Sequence, residues 1–401
     1  MDNKKNLKDH RQIGQELDLF SFHDVSPGAV FWHAKGWIIY QAIQNFIREK
    51  LAPIGYLEVS TPILAKSELF KKSGHWDHYH ENMFSLNVDK EPYALKPMNC
   101  PAACLIYANS TRSYHDLPMR LADFGVLHRN ELSGTLGGLF RARQFSIDDA
   151  HHFVRPDQIQ DEIHKLILLV TEFYKILGFE PKFYFSTKPD KAMGDPKLWK
   201  QAEEDLKKAL ENAKVEYGVK EKDGAFYGPK IDIHINDAQK RDWQLATIQL
   251  DFQIPEKMDL NYVDSDGSNK RPVIIHRAIL GSVERFIGIL LEHYQGALPV
   301  WLSPEQVAIL PIADRHAEAA KKINEQLVAA GIRSRVDNRQ ETLQAKIRHA
   351  TLQKVPYMGI IGDKEIESDS ISIRLRDGKD LGKMEISKFL QKVLEEIDTK
   401  I

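Results

Sequence analysis

The segment LKPMNCPAAC, residues 95–104, holds both cysteines of a 401-residue chain, Cys100 and Cys104. A helical Cys-x3-Cys pair is open to four readings: a strained local disulfide, a redox pair, core packing, or a share of a metal site. Two thiols cannot build an all-cysteine zinc site. Zinc also accepts mixed nitrogen and sulfur ligands, and catalytic zinc keeps three protein ligands and an open position. A run of histidines in GHWDHYHEN, His75, His78 and His80, competes for a metal. Its spacing suits neither a helical nor an alternating-strand pair throughout, so a solvated loop is the better reading.

A second chemical cluster lies in HRNELSGTLGGLFRARQF, residues 128–145. Arg129 and Glu131 stand two apart on one predicted strand, and Arg141 and Arg143 do the same on the return strand. Each pair therefore shares a face. A solvated hairpin edge is the ordinary reading of such charges. Arg285 weakens it, because it falls inside the apolar LGSVERFIGIL, where a buried charge is costly without an anionic partner.

The elements that must position these residues follow from periodicity. A helix is expected over residues 36–51, with Ile39, Ile43, Phe46, Ile47 and Leu51 at helical spacing, and then a strand, YLEVSTPIL. A short strand over 93–98 runs into Cys100-Pro101, where proline suits a helix first turn. Strand-like segments 124–130 and 140–147 flank a Ser/Gly-rich loop, which reads as a long antiparallel hairpin. Helices follow over 156–177 and 195–213, the second capped by Asp195 and striped by Trp199, Ala202, Leu206 and Ala209. AFYGPKIDIHI, WQLATIQLDFQI and RPVIIH read as strands, and AILGSVERFIGILLEHY as a helix. Past residue 302 the pattern becomes β-α-β-α-β-β, a separate small α/β domain with a mainly parallel sheet.

Composition excludes several classes. A 42% hydrophobic and 28% charged content belongs to an ordinary globular chain. No apolar run approaches the ~20 residues of a membrane span, and the N-terminus has no secretory pattern. Two cysteines argue against a disulfide framework, and a reducing cytoplasm is the expected location. A net charge of −2 excludes a generally basic coat but not a local basic face.

The helix and strand ending at Pro62, the segment 124–145 and the segment 281–288 together resemble motifs 1, 2 and 3 of class II aminoacyl-tRNA synthetases. LKPMNCP, HRNELSG, DDAHHF, DGAFYGPKID, TIQLDF and IHRAILGSVERFIGIL, in that order, resemble the threonyl-tRNA synthetase family over nearly the whole chain. The resemblance implies an α+β catalytic domain, residues 1–302, with an antiparallel sheet flanked by helices. It implies an α/β anticodon-binding domain over 303–401. The implied reaction joins L-threonine to ATP as threonyl-adenylate and then to the 3′ end of tRNA(Thr). Arg129 would grip the α-phosphate and substrate carboxylate, and Glu131 would accept from the adenine amino group. Phe140 would lie on the adenine ring, Arg141 would belong to the ATP site, and Arg285 would hold the γ-phosphate. Mg2+ is implied with the nucleotide.

By the same resemblance Cys100, His151 and His276 are zinc ligands, while Cys104 is core. Met98, Asp149, Tyr227, Lys230, Gln244 and Gln249 would bind substrate, with Asp149 accepting from the threonine hydroxyl. Glu365 and Arg374 match anticodon-reading positions, and Gln340 and Lys354 stand at two more. The segment 38–62 implies a homodimer, and no membrane partner is implied. Relative to the family, the chain is expected to lack the N-terminal editing region. Ala102-Ala103 replaces Gly-His, Ile147 replaces Gln, and Leu245-Ala246 replaces Cys-Gly. These departures leave an alternative, a catalytically impaired paralogue that binds RNA or regulates a partner.

Overall fold

The computed structural model describes residues 7–400. Two compact units emerge, one of residues 22–30 and 44–286, the other of residues 7–21, 31–43 and 287–400. The first is built on one sheet whose strands are β1 (Tyr56–Glu58), β2 (Met119–Asp123), β3 (Val126–His128), β4 (Gln144–Val154) and β5 (Lys182–Ser186). It continues with β6 (Tyr217–Lys220), β7 (Lys230–Asn236), β8 (Asp242–Asp251) and β9 (Val273–Ser282). Their order is β6-β5-β7-β8-β9-β4-β2-β1, with β3 added to one end of β4.

The sheet was expected to be antiparallel, and it is so except at its two edges. β5 pairs with β6, and β1 with β2, in parallel. A parallel pair needs a crossover of a dozen or more residues, and both edges have one. Between β1 and β2 lie α1 (His75–Tyr79) and α2 (Cys100–Ala108). After β4 comes α3 (Ile159–Ile176), and α4 (Pro196–Asn212) forms the crossover between β5 and β6. The Asp195 carboxylate accepts from the Lys197 N–H at 2.8 Å and caps α4. Trp199, Ala202, Leu206 and Ala209 are buried as its stripe predicts. Ile163, Leu166, Ile167, Val170, Phe173 and Tyr174 of α3 are buried as well, which accounts for the long apolar runs in the central strands.

Two local expectations are corrected. The residues AILG, read as the start of a helix, complete β9, and α5 (Val283–His293) begins only afterwards. The cause is Asp148 on β4, whose carboxylate accepts from the N–H groups of Ile279 at 2.9 Å and Leu280 at 2.8 Å. Those N–H groups are thereby taken from any helix. Gly281 then turns the chain with φ +67°, and Ser282 Oγ accepts from Arg285 N–H as an N-cap. The hairpin is also shorter than predicted: β3 meets only Gln144–Ser146 of β4. Residues 129–143 form a braced loop, in which Arg143 Nε donates to Glu131 O at 2.9 Å.

The second unit contains β10 (Val307–Pro311), β11 (Ser334–Val336), β12 (Tyr357–Ile361), β13 (Ser370–Leu375) and β14 (Asp380–Glu385), ordered β11-β10-β12-β13-β14. Only β10–β11 and β10–β12 are parallel, so the mainly parallel sheet expected is parallel in one half. The helices α6 (Ala317–Ala329) and α7 (Leu343–Leu352) supply the parallel crossovers, and α8 (Ile386–Thr399) closes the chain. Its core includes Ile309, Leu327, Ile371, Phe389 and Val393. No helix of the described residues is long and apolar enough to cross a membrane.

Arg277 of β9 is the largest fully buried side chain, and its guanidinium donates to Asp148 Oδ2 at 3.0 Å. Burial still pushes the Asp148 carboxyl up to about 6. Asp148→Ala should strand the guanidinium and destabilise the chain by about 3–5 kcal/mol, read as a lower urea midpoint. Asp148→Ala/Arg277→Met should recover part of that loss.

Candidate functional site

The strands β4 and β9 bring the predicted ligands together. Their antiparallel register pairs His151 directly with His276, and the two rings lie 4.9 Å apart. Cys100 comes from the first turn of α2, where Pro101 suits the helix start. The Cys100 thiol and one nitrogen of each histidine all lie within 4.8 Å of one another, and all three residues are buried. His276 Nε2 sits 2.9 Å from Asp251 Oδ2, so a hydrogen there leaves Nδ1 as the acceptor. His276 Nδ1 and His151 Nε2 have no hydrogen-bond partner.

Two orphaned buried nitrogens beside a thiol are what a nitrogen–sulfur metal site requires. Burial drives the His151 pKa far down, with His276 adding to it, so the imidazole is neutral as a ligand must be. Burial raises the Cys100 thiol well above its ordinary value, and Asp149 adds to that. A bound cation would reverse this shift. These residues fit zinc.

Next to this cluster opens a cavity of ≈ 690 Å³. Met98, Cys100, Asp149, Tyr227, Gln249 and His276 line one part of its wall. Gln244, Arg129, Glu131, Phe140, Arg141 and Arg285 also line it. His151 and Lys230 are not on the wall. His151 is buried behind it, and Lys230 Nζ is held by Asp232 at 2.6 Å and Asp223 at 3.3 Å.

The cations are placed with care. Arg129 lies between Tyr79 and Phe145, its guanidinium 5.6 and 5.2 Å from their ring centroids, and its Nε donates to Pro97 O. Arg285 Nε donates to Phe140 O at 2.9 Å. Burial, with Arg129 and Arg141 as like charges, pulls the Arg285 pKa below its ordinary value. Glu131 accepts from Arg141 Nε at 2.9 Å. Phe140 packs 4.6 Å from Trp243. The guanidinium groups of Arg129, Arg141 and Arg285 around the single carboxylate of Glu131 make this part of the cavity a receptor for a polyanion.

The histidine run divides. His75 is fully buried on α1, whereas His78, on the same helix, and His80, just after it, are exposed, so solvent exposure holds for two of the three and a helix stands where a loop was expected. His75 Nδ1 meets Ser73 Oγ at 2.9 Å, its Nε2 has no partner, and burial lowers its pKa to about 3. The cause is aromatic packing: His75 meets the Phe226 ring edge-on at 5.7 Å, and His78 stacks on it at 4.8 Å. Asp251 and Asp232 were also missed. Asp232 accepts from Lys230, Ser186 Oγ at 2.7 Å and Gln244 Nε2 at 2.6 Å. The signal for it was the two-residue spacing of Lys230 and Asp232 on one strand face.

Four positions lie apart, in the second unit. Glu365 follows β12 and accepts from Gly362 N–H at 3.0 Å and Ser372 Oγ at 2.7 Å. Gln340 is exposed after β11, and Arg374 pairs with Met358 across β12 and β13. Lys354 precedes β12, in a left-handed turn, and lines a small cavity with Leu17, Leu19 and Gly296. Glu365 and Lys354 therefore flank opposite ends of that strand.

Comparison with known proteins agrees with this architecture. Residues 84–294 match the tRNA synthetase class II core domain (G, H, P, S and T), and residues 306–396 match the anticodon binding domain. Fold and sequence thus define a class II aminoacyl-tRNA synthetase core. The chain is 51% identical over 393 residues to a threonine--tRNA ligase of Carboxydothermus hydrogenoformans, covering 98% of this chain and 62% of that protein. A Clostridium botulinum threonine--tRNA ligase is 50% identical with the same coverage. The crystal structure of the RNA binding domain of threonyl-tRNA synthetase from Cryptosporidium parvum matches with a TM-score of 0.95 at 42% identity, covering 97% of this chain and 98% of that one. The chain belongs to the threonyl-tRNA synthetase family, and it spans 62% of the length of these curated relatives.

Zinc added to metal-stripped protein should bind at about one ion per chain, and Cys100→Ser should lose most of it, since a hydroxyl is a poorer zinc ligand than a thiolate. Asp251→Asn should weaken retention about 10–100-fold by releasing His276 from its orienting carboxylate. Mass spectrometry of metal content after dialysis against a chelator checks both. Full occupancy in Cys100→Ser/His151→Ala would put the metal elsewhere, for instance at His75.

Proposed function

We propose that this chain activates L-threonine with ATP to threonyl-adenylate and transfers the threonyl group to the 3′ end of tRNA(Thr). The supporting observation is that Arg129, Arg141 and Arg285 share one cavity wall with Cys100 and His276, and that His151 completes their cluster from behind that wall. In the first step the threonine carboxylate attacks the α-phosphorus, a P–O bond forms, and pyrophosphate leaves with its electron pair. Arg129 neutralises charge on the α-phosphate and carboxylate, and Arg285 holds the γ-phosphate. In-line positioning and fixed positive charge are what this reaction requires of a protein. Glu131 exchanges its Arg141 partner for the adenine amino group, which frees Arg141 for the nucleotide. Phe140 lies against the base. Mg2+ accompanies the phosphates.

Zinc, when bound, supplies an open coordination position for the amino group and hydroxyl of threonine. Asp149 accepts from that hydroxyl, and Asn99 Nδ2 steadies the Asp149 carboxylate at 3.2 Å. Met98, Tyr227, Gln244 and Gln249 complete the pocket, and Lys230 reaches it once it leaves its carboxylates. Residues 1–302 serve catalysis and 303–401 bind the anticodon, through Glu365, Gln340, Arg374 and Lys354. The working form is a cytoplasmic homodimer joined through residues 38–62. The impaired-paralogue alternative draws on Ile147, an apolar member of the cavity wall, and is not favoured, because the arginines and the metal-site residues are all present.

Threonine-dependent ATP–pyrophosphate exchange tests the reading, and zinc chelation should abolish it. Valine should be excluded, because it lacks the hydroxyl that Asp149 accepts from and leaves that carboxylate short of one hydrogen bond. Serine should be accepted with kcat/KM lower by on the order of 10²-fold, since it lacks only a methyl group. Valine exchange comparable to threonine would sink the proposed hydroxyl recognition.

A further inference from the structure

Lys96 is a buried cation with no role in the reaction as drawn. Its side chain is 3% exposed, and Nζ donates to Thr61 Oγ1 at 2.7 Å and Thr61 O at 3.1 Å. Asp123 Oδ2 lies 3.7 Å away and accepts from Thr61 Oγ1 at 2.7 Å. Asp123 on β2 is the direct cross-strand partner of Asp149 on β4. Two carboxylates so placed share a face of the sheet and repel. The Lys96 ammonium lies beside Asp123; burial lowers its pKa, and the Asp123 and Asp149 charges oppose that shift.

The backbone carries the same connection. Lys96 N–H donates to Ile63 O at 2.8 Å, and Lys96 O accepts from His128 N–H at 3.0 Å. The four residues after it each serve the cavity. Pro97 O takes Arg129 Nε, Met98 lines the wall, Asn99 donates to Asp149, and Cys100 joins the histidines.

We infer that Lys96 is a positioning residue for the amino-acid end of the site: its charge compensates the Asp123/Asp149 pair, and its anchorage to Thr61 sets the segment 97–100. The inference rests on the threonine-activating reading above. Of the ATP contacts, Arg129 is tied to this network through Pro97 O, while Phe140 and Arg285 lie outside it. Loss of Lys96 should therefore act on threonine more than on ATP.

Lys96→Met removes the charge and keeps the stem, Lys96→Arg keeps the charge, and Lys96→Met/Asp123→Asn removes the uncompensated carboxylate as well. In exchange assays Lys96→Met should raise KM for threonine by about tenfold or more, with KM for ATP within about twofold. Equilibrium dialysis should show the same weakening of threonine binding, with zinc content unchanged. Lys96→Arg and the double variant should each return toward the wild-type KM, a rescue that mere loss of packing would not give. Thr61→Val, which removes one acceptor of the ammonium, makes the same test if Lys96→Met does not fold, and should raise KM for threonine more than KM for ATP. Equal rises in both KM values, a fall in kcat alone, or a double variant no better than Lys96→Met would overturn the inference. Wild-type protein that does not exchange with threonine would overturn the functional reading instead, so the two failures are distinct.

Discussion

The antiparallel register of β4 against β9 is the constraint on which the candidate site depends. Side chains alternate across a sheet, so a slip of one residue would send His276 to the opposite face from His151. The ion pair of Asp148 and Arg277 resists that slip. Asp148 also accepts from two consecutive backbone N–H groups, so its carboxylate fits only one alignment of β9. The same bonds end the regular ladder and let Gly281 turn the chain toward Arg285. One buried carboxylate thus fixes both the alignment of the histidine pair and the turn that leads on to Arg285.

Electrostatics then divides the cavity into two ends. Around Cys100 the groups are the imidazoles of His151 and His276, a thiol that burial keeps protonated, and the Asp149 carboxyl. Around Phe140 they are guanidinium groups, with Glu131 as the single acidic side chain of the cavity wall there. Burial raises the cost of every unpaired charge, so the acidic end invites a cation and the arginine end invites phosphate. A substrate carrying both an amino acid and a nucleotide satisfies the two ends together.

Much of this was legible in the residues. Cys100, His151 and His276 lie far apart in sequence, and only the resemblance to the family joined them; taken singly, each reads as an ordinary buried residue. The helical stripe of α4 and the β-α alternation after residue 302 needed nothing more than periodicity. What escaped was decided by contacts across the chain. AILG has helical composition but meets Asp148, which lies more than 100 residues earlier. The hairpin residues alternate like strands but spend their hydrogen bonds on Glu131 and Arg143. His75 sits in a polar run and is drawn inward by Phe226 and Tyr227. Each miss is a local preference overridden by a distant partner.

The two glutamines on the wall follow from the same logic. Tyr227 hydroxyl donates to Gln249 Oε1 at 2.5 Å, which leaves the Gln249 amide nitrogen for a ligand acceptor. Gln244 gives its Nε2 to Asp232 and so keeps its carbonyl oxygen for a ligand donor. Both residues stand on β8, on opposite sides of a register that pairs Gln249 with His276 and Gln244 with His234. Their amides are alike in the sequence and opposite in the site. A buried phenol fixes one and a buried carboxylate fixes the other, so a single strand offers a donor at the metal-ligand end and an acceptor farther along the wall.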